Sequence, residues 1–159
     1  MAKPIAITLG DPAGIGPEII VKAFRDAPEI TQGCFVVGDV ATLRRAVKIT
    51  SVNQIPLSVA LIDSPREALH MPPRCVPVFQ CGPALPLVPF GRVDAGAGRL
   101  AAECVVWAAQ SALCGDVAAV VTAPLHKEAL NAAGDPHARY PGHTEMLQAL
   151  AATNLKKSV

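Results

Sequence analysis

Three short segments hold the residues whose types and spacing could do chemistry. The first is Gly10-Asp11-Pro12-Ala13-Gly14-Ile15-Gly16, directly after the apolar run Ile5–Leu9. Glycines between a strand and a helix let backbone N–H groups approach an anion closely. Here the spacing is G-x3-G-x-G, which is neither the dinucleotide fingerprint nor a P-loop, and Asp11 sets a negative charge where a phosphate would lie. Read on its own, this segment fits a tight turn equally well. The second is Thr122-Ala123-Pro124-Leu125-His126-Lys127, after the most apolar stretch of the chain. Ligands of open parallel sheets gather beyond the carboxyl ends of strands, where a Lys can pair with a phosphate or carboxylate and a His can move a proton. A Lys that merely opens an exposed helix is the plainer alternative. The third is Tyr140-Pro141-Gly142-His143-Thr144-Glu145, in which His143 and Thr144 offer adjacent polar groups at a helix start. Glu145 could be an acid or base, or simply a partner for the helix dipole. His70 and His137 read as surface residues. The four histidines share no metal-ligand spacing.

The elements that would position these segments alternate in the manner of an α/β domain: an open, mostly parallel sheet flanked by helices. Strands are expected at Ile5–Leu9, Cys34–Val37 and Leu57–Ile62. A fourth at Asp116–Thr122 is so apolar that it should be central and buried on both faces. Pro17 suits a first helical turn with Glu18 beside it, and Ile19, Ile20, Ala23 and Phe24 give that helix its apolar stripe. Further helices are expected near Ala41–Val47, over Ala101–Leu113 with Gly115 as its stop, from Lys127 to Ala133, and after Thr144 as a cap. The proline-dense stretch between Pro72 and Pro89 reads as loop or short extended pieces rather than regular structure.

Composition narrows the partner. With 159 residues, 51% of them apolar and a net charge of +1, the chain can bury a core and projects no long-range field toward nucleic acid or an anionic membrane. Aromatic residues are only 4%, too few for base-stacking platforms. The five cysteines are scattered without a CxxC pair, which fits reduced thiols in a cytoplasmic protein better than a disulfide framework. The apolar N-terminal run is too short for a signal-peptide core. A small-molecule partner is the expectation.

Taken together and in order, the motifs resemble a known family. Ile7–Ile19 with its Gly10–Gly16 turn, Gly91-Arg92-Val93-Asp94-Ala95, Val121–Lys127 and Gly142-His143-Thr144-Glu145 are similar to four successive blocks of the 4-hydroxythreonine-4-phosphate dehydrogenase family, PdxA. The resemblance implies a two-domain fold like that of isocitrate and isopropylmalate dehydrogenases. It also implies oxidation of 4-phosphooxy-L-threonine with NAD, followed by decarboxylation to 3-amino-2-oxopropyl phosphate in pyridoxal phosphate biosynthesis. A divalent metal (Zn, Mg or Co) and a homodimer belong to the same picture. Carried over, His143 and Thr144 match the family's substrate-binding pair, and Asp11 and Lys127 match supporting positions near the cleft. Family members are roughly twice as long, so residues 1–159 are expected to be the N-terminal part, inactive alone. The metal-binding histidines and most of the NAD site would lie beyond it, leaving no metal ligand and no identified catalytic residue in this chain. Two alternatives stand beside this reading: a non-catalytic remnant or binding domain, and a related dehydrogenase for another phosphorylated hydroxy acid.

Overall fold

The computed structural model describes residues 2–157. Five strands, β1 (Ile5–Thr8), β2 (Cys34–Gly38), β3 (Ser58–Leu61), β4 (Cys75–Gln80) and β5 (Ala119–Thr122), form one sheet in the order β3-β4-β2-β1-β5. Every pairing is parallel, with Ile5 opposite both Cys34 and Ala119, and Thr8 opposite Val37 and Thr122. Around the sheet lie α1 (Gly16–Asp26), the short α2 (Pro28–Thr31), α3 (Val40–Thr50), α4 (Ala95–Cys114), α5 (Lys127–Ala132) and α6 (His143–Lys157).

The strand order fixes which face each helix covers. The crossovers through α1 and α3 carry the chain toward β3, whereas α4 carries it back across β2 and β1 to β5. Right-handed crossovers running in opposite directions lie on opposite faces. Accordingly α1 packs on α3, while α5 and α6 stack on α4 on the other side. Between the layers β2 is buried along its whole length, as a strand covered on both faces must be. Trp107 of α4 stacks on Phe79 at 4.2 Å and meets Phe35 edge-on at 6.1 Å, fixing α4 over β2 and β4.

Local chemistry explains the helix ends. Asp39 Oδ2 accepts from the Thr42 amide at 2.8 Å and Asp94 Oδ1 from the Ala97 amide at 2.9 Å, so each caps a helix that starts just after it. Gly115 ends α4 in the left-handed conformation. α4 and α5 meet at Gly98, where a Cβ would stand 1.9 Å from the Ala129 carbonyl oxygen. Only glycine permits that approach.

Several sequence expectations need correction. Among the described residues the apolar run ending at Thr122 is an edge strand, and Val121 is 51% exposed. Its apolarity reports β-propensity and one covered face, not a neighbour on both sides. The proline-dense stretch contains a regular strand, β4, paired with β2 and β3 even though Pro77 lies within it. The stripe of α1 is Pro17, Ile20, Val21 and Phe24, and Ile19 is exposed: anchoring the first turn on Pro17 sets the phase of the i, i+3, i+4, i+7 pattern. Thr144 lies inside α6 rather than capping it, since the Gly142 carbonyl already accepts from the Met146 amide at 3.2 Å.

Candidate functional site

Loops after β1 and β5 leave the sheet toward opposite faces, and such a reversal opens a crevice at the carboxyl ends of the two strands. The first two motifs meet there. The Asp11 amide donates to the Pro124 carbonyl at 2.9 Å, and the Ala123 amide donates to the Thr8 carbonyl at 3.2 Å. Gly10 adopts φ +73°, and a Cβ on it would come within 2.4 Å of the Pro124 oxygen. The glycine turn is thus required by its contact with the second motif as well as by its own bend.

Asp11 is buried, and its Oδ1 accepts from the Ala13 amide at 2.9 Å, which folds the turn back on itself. The outer side of the turn is held by Arg45 of α3. Its guanidinium donates to the carbonyls of Pro12 and Val88 and lies 4.1 Å over the Phe90 ring. The Gly91 amide adds a bond to the Ala13 carbonyl at 2.9 Å. Arg45 was not legible as a site residue, because in sequence it is one of several basic residues on an amphipathic helix.

On the α4 face, His126 accepts from the Ala129 amide through Nδ1 at 3.4 Å, so this ring caps α5. Lys127, the first residue of α5, is exposed, and no bonded partner holds it among the described residues. His143 opens α6, and its Nε2 is buried without a hydrogen-bond partner. Burial alone pushes its pKa below the ordinary histidine value, so the neutral ring is favoured. Thr144 is exposed beside it. The two motifs share one apolar cluster in which Leu125 and Leu130 meet Tyr140, Met146 and Leu147 against Ala102 and Val105 of α4. Asp11 is therefore joined to the second motif by a hydrogen bond, and the second motif to the third by apolar packing. No hydrogen bond or ion pair among the described residues links Asp11 or Lys127 to His143 or Thr144.

One further polar group at the strand ends escaped sequence reasoning. Thr8 closes β1 fully buried, with its hydroxyl unpartnered. Two cavities lie away from these side chains. A cavity of about 290 Å3 opens at the opposite end of the sheet, around Cys34, Arg74 and Cys75. Another of about 250 Å3 lies beside Cys81, Arg99 and Glu103. Among the described residues no group of three His, Cys, Asp or Glu side chains is placed to hold a metal ion. Among the described residues no helix is long and apolar enough to cross a membrane.

Comparison with known proteins adds what geometry cannot. Residues 31–159 match the family model described as pyridoxal phosphate biosynthetic protein PdxA. Over 150 residues the chain is 41% identical to D-threonate 4-phosphate dehydrogenase of Pectobacterium atrosepticum, covering 94% of this chain and 44% of the relative. It is 40% identical over 152 residues to 4-hydroxythreonine-4-phosphate dehydrogenase of Trichlorobacter lovleyi, covering 93% and 43%. Among solved structures, the 4-hydroxythreonine-4-phosphate dehydrogenase of Klebsiella pneumoniae superposes with a TM-score of 0.82 at 42% identity, covering 94% of this chain and 44% of that one. The chain spans less than half the length of the curated relatives it matches.

Proposed function

The chain belongs to the PdxA family, and from that membership we propose that it is the N-terminal part of an NAD-dependent, cytoplasmic, homodimeric dehydrogenase acting on a phosphorylated hydroxy acid. The names of the relatives favour a common substrate skeleton. D-threonate 4-phosphate and 4-hydroxythreonine 4-phosphate share a phosphate at C4, a secondary alcohol at C3 and a carboxylate, and they differ at C2. Oxidising the C3 alcohol of either gives a β-keto acid, which is set to lose CO2.

His143 and Thr144 bind this substrate, and Lys127 and Asp11 support the cleft around it. The unpartnered Nε2 of His143 carries the proposal. A buried nitrogen without a partner costs about 1–3 kcal/mol, and a ligand oxygen that bonds it recovers that cost. Lys127 supplies a positive charge beside the same apolar cluster, where a phosphate would be favoured. The described residues offer neither a dinucleotide fingerprint nor a three-ligand metal group, so no residue here is assigned to NAD or to a metal.

The test is to add each phosphorylated acid, and inorganic phosphate alone, to the chain while following the 15N and 1H resonances of the His143 ring. Both acids should shift them, and His143→Ala should weaken binding about tenfold, the equivalent of one lost hydrogen bond. Unmoved resonances at saturating ligand would refute the assignment.

A further inference from the structure

The cavity at the amino end of the sheet belongs neither to the candidate site nor to its motifs. Its floor is apolar: Phe24 of α1, Cys34 opening β2, Ala68, and Cys75 and Pro77 of β4 are all buried. Its rim is charged. Glu29 of α2 and Arg74, just before β4, line the same cavity and are exposed. Each stands beside backbone whose φ is fixed by proline, Pro28 before Glu29 and Pro72-Pro73 before Arg74. Arg74 itself holds φ +63°, the left-handed region that side chains disfavour, and its Nη2 donates to the Ile55 carbonyl at 3.2 Å. Among the described residues neither Arg74 nor Glu29 takes part in an ion pair. About 12 Å of helix lies between Gly16, at the glycine turn, and Phe24 on the cavity floor, so the two places are distinct.

We propose that this cavity binds a small apolar α-amino acid, with its carboxylate on Arg74, its ammonium on Glu29 and its side chain on the apolar floor. Two opposite charges on one rim that do not pair with each other suit a molecule that carries both charges itself. A plain carboxylic acid would leave Glu29 facing a like charge, and a plain amine would do the same to Arg74. At about 290 Å3 the cavity lies at the small end of the range for ligand sites, which admits an amino acid and excludes a dinucleotide. The floor selects an apolar side chain, because the polar groups beside it are already committed. Thr31 Oγ1 donates to the Ala27 carbonyl at 3.2 Å, and Cys34 Sγ donates to the Ile30 carbonyl at 3.9 Å. A polar side chain would lose its water there and gain no partner.

The experiment uses the full chain and L-leucine as the probe, beside 4-methylpentanoate, which lacks the ammonium, and 3-methylbutylamine, which lacks the carboxylate. Amide resonances of Gly33, Cys34 and Ala68 report the cavity, and those of Gly10 and Gly14 report the distant turn. Leucine should move the first set and not the second, and should bind about tenfold tighter than either singly charged analogue. Glu29→Gln should remove the advantage over 4-methylpentanoate, and Arg74→Gln the advantage over 3-methylbutylamine. Glu29 is exposed on a short surface helix, so its variant reads the rim even where Arg74→Gln disturbs the loop. Cavity amides unmoved at about 20 mM leucine, far above the roughly millimolar Kd expected of so small a ligand, would overturn the proposal. Equal binding of the three probes, or a leucine affinity that Glu29→Gln leaves unchanged, would overturn it as well.

Discussion

Replacing two glycines of the same turn should give opposite results. Gly10 has φ +73° and no room: the nearest atom to an added Cβ, the Pro124 oxygen, is at 2.4 Å, about 1 Å inside ordinary contact. Gly14 sits at negative φ, and its nearest neighbours are Asp11 atoms at 3.4 Å. For Gly10→Ala the left-handed backbone costs about 1 kcal/mol and the overpacking about 1–3 kcal/mol, a total near 3 kcal/mol. Relief by moving Pro124 away would sacrifice the Asp11–Pro124 hydrogen bond, worth about 1 kcal/mol, so relaxation lowers the total little. Gly14→Ala meets neither obstacle and reduces the freedom of the unfolded chain, giving a change between zero and about 1 kcal/mol of stabilisation. Urea unfolding followed by the emission of Trp107 reads both variants, with the slope as a check that each unfolds as wild type does. Equal midpoints for the two variants, or a Gly10→Ala loss under about 1 kcal/mol, would refute the claim that the two loops are in contact.

Two other perturbations follow from the site. Because burial lowers the His143 pKa in the folded chain, the unfolded chain takes up the proton first as pH falls; stability is therefore full above about 6.5 and lost as pH drops toward the folded value. His143→Gln should flatten that part of the stability–pH profile measured by urea unfolding, and an unchanged slope would contradict it. Arg45→Lys keeps the charge but loses the fork that spans the Pro12 and Val88 carbonyls, so it should cost about 1–2 kcal/mol locally. Amide exchange at Gly91 should then speed up by roughly tenfold, and unaltered exchange would show that Arg45 does not hold the segment.

How much of this was readable in advance depended on the range of the information. The first strand and turn, the Gly115 stop of α4 and the start of α5 at Lys127 are written in local residues, and they stand where the sequence placed them. That the first two motifs touch, through the Asp11–Pro124 bond, was not written in either segment: it follows from the pairing of β1 with β5, which brings their carboxyl ends side by side. Lateral neighbours were not readable. Val121 is as apolar as a central residue, yet only the strand order shows that nothing among the described residues pairs beyond β5. Arg45 depends on tertiary proximity that no local spacing encodes.

The hydrogen bond between Asp11 and Pro124 spans most of the chain, and this has a consequence for the order of events in folding. β1 and the glycine turn lie near the beginning of the sequence, while the carbonyl that receives Asp11 comes only after the long α4 crossover. Closing so large a loop is repaid only once β5 has docked beside β1, and contacts of high sequence separation form slowly. During synthesis from the N-terminus the turn is therefore made early and stays open until β5 arrives. The candidate site is assembled at the last step of the sheet, so a chain with a native-like β1–β4 core can be well folded by most measures and still lack it.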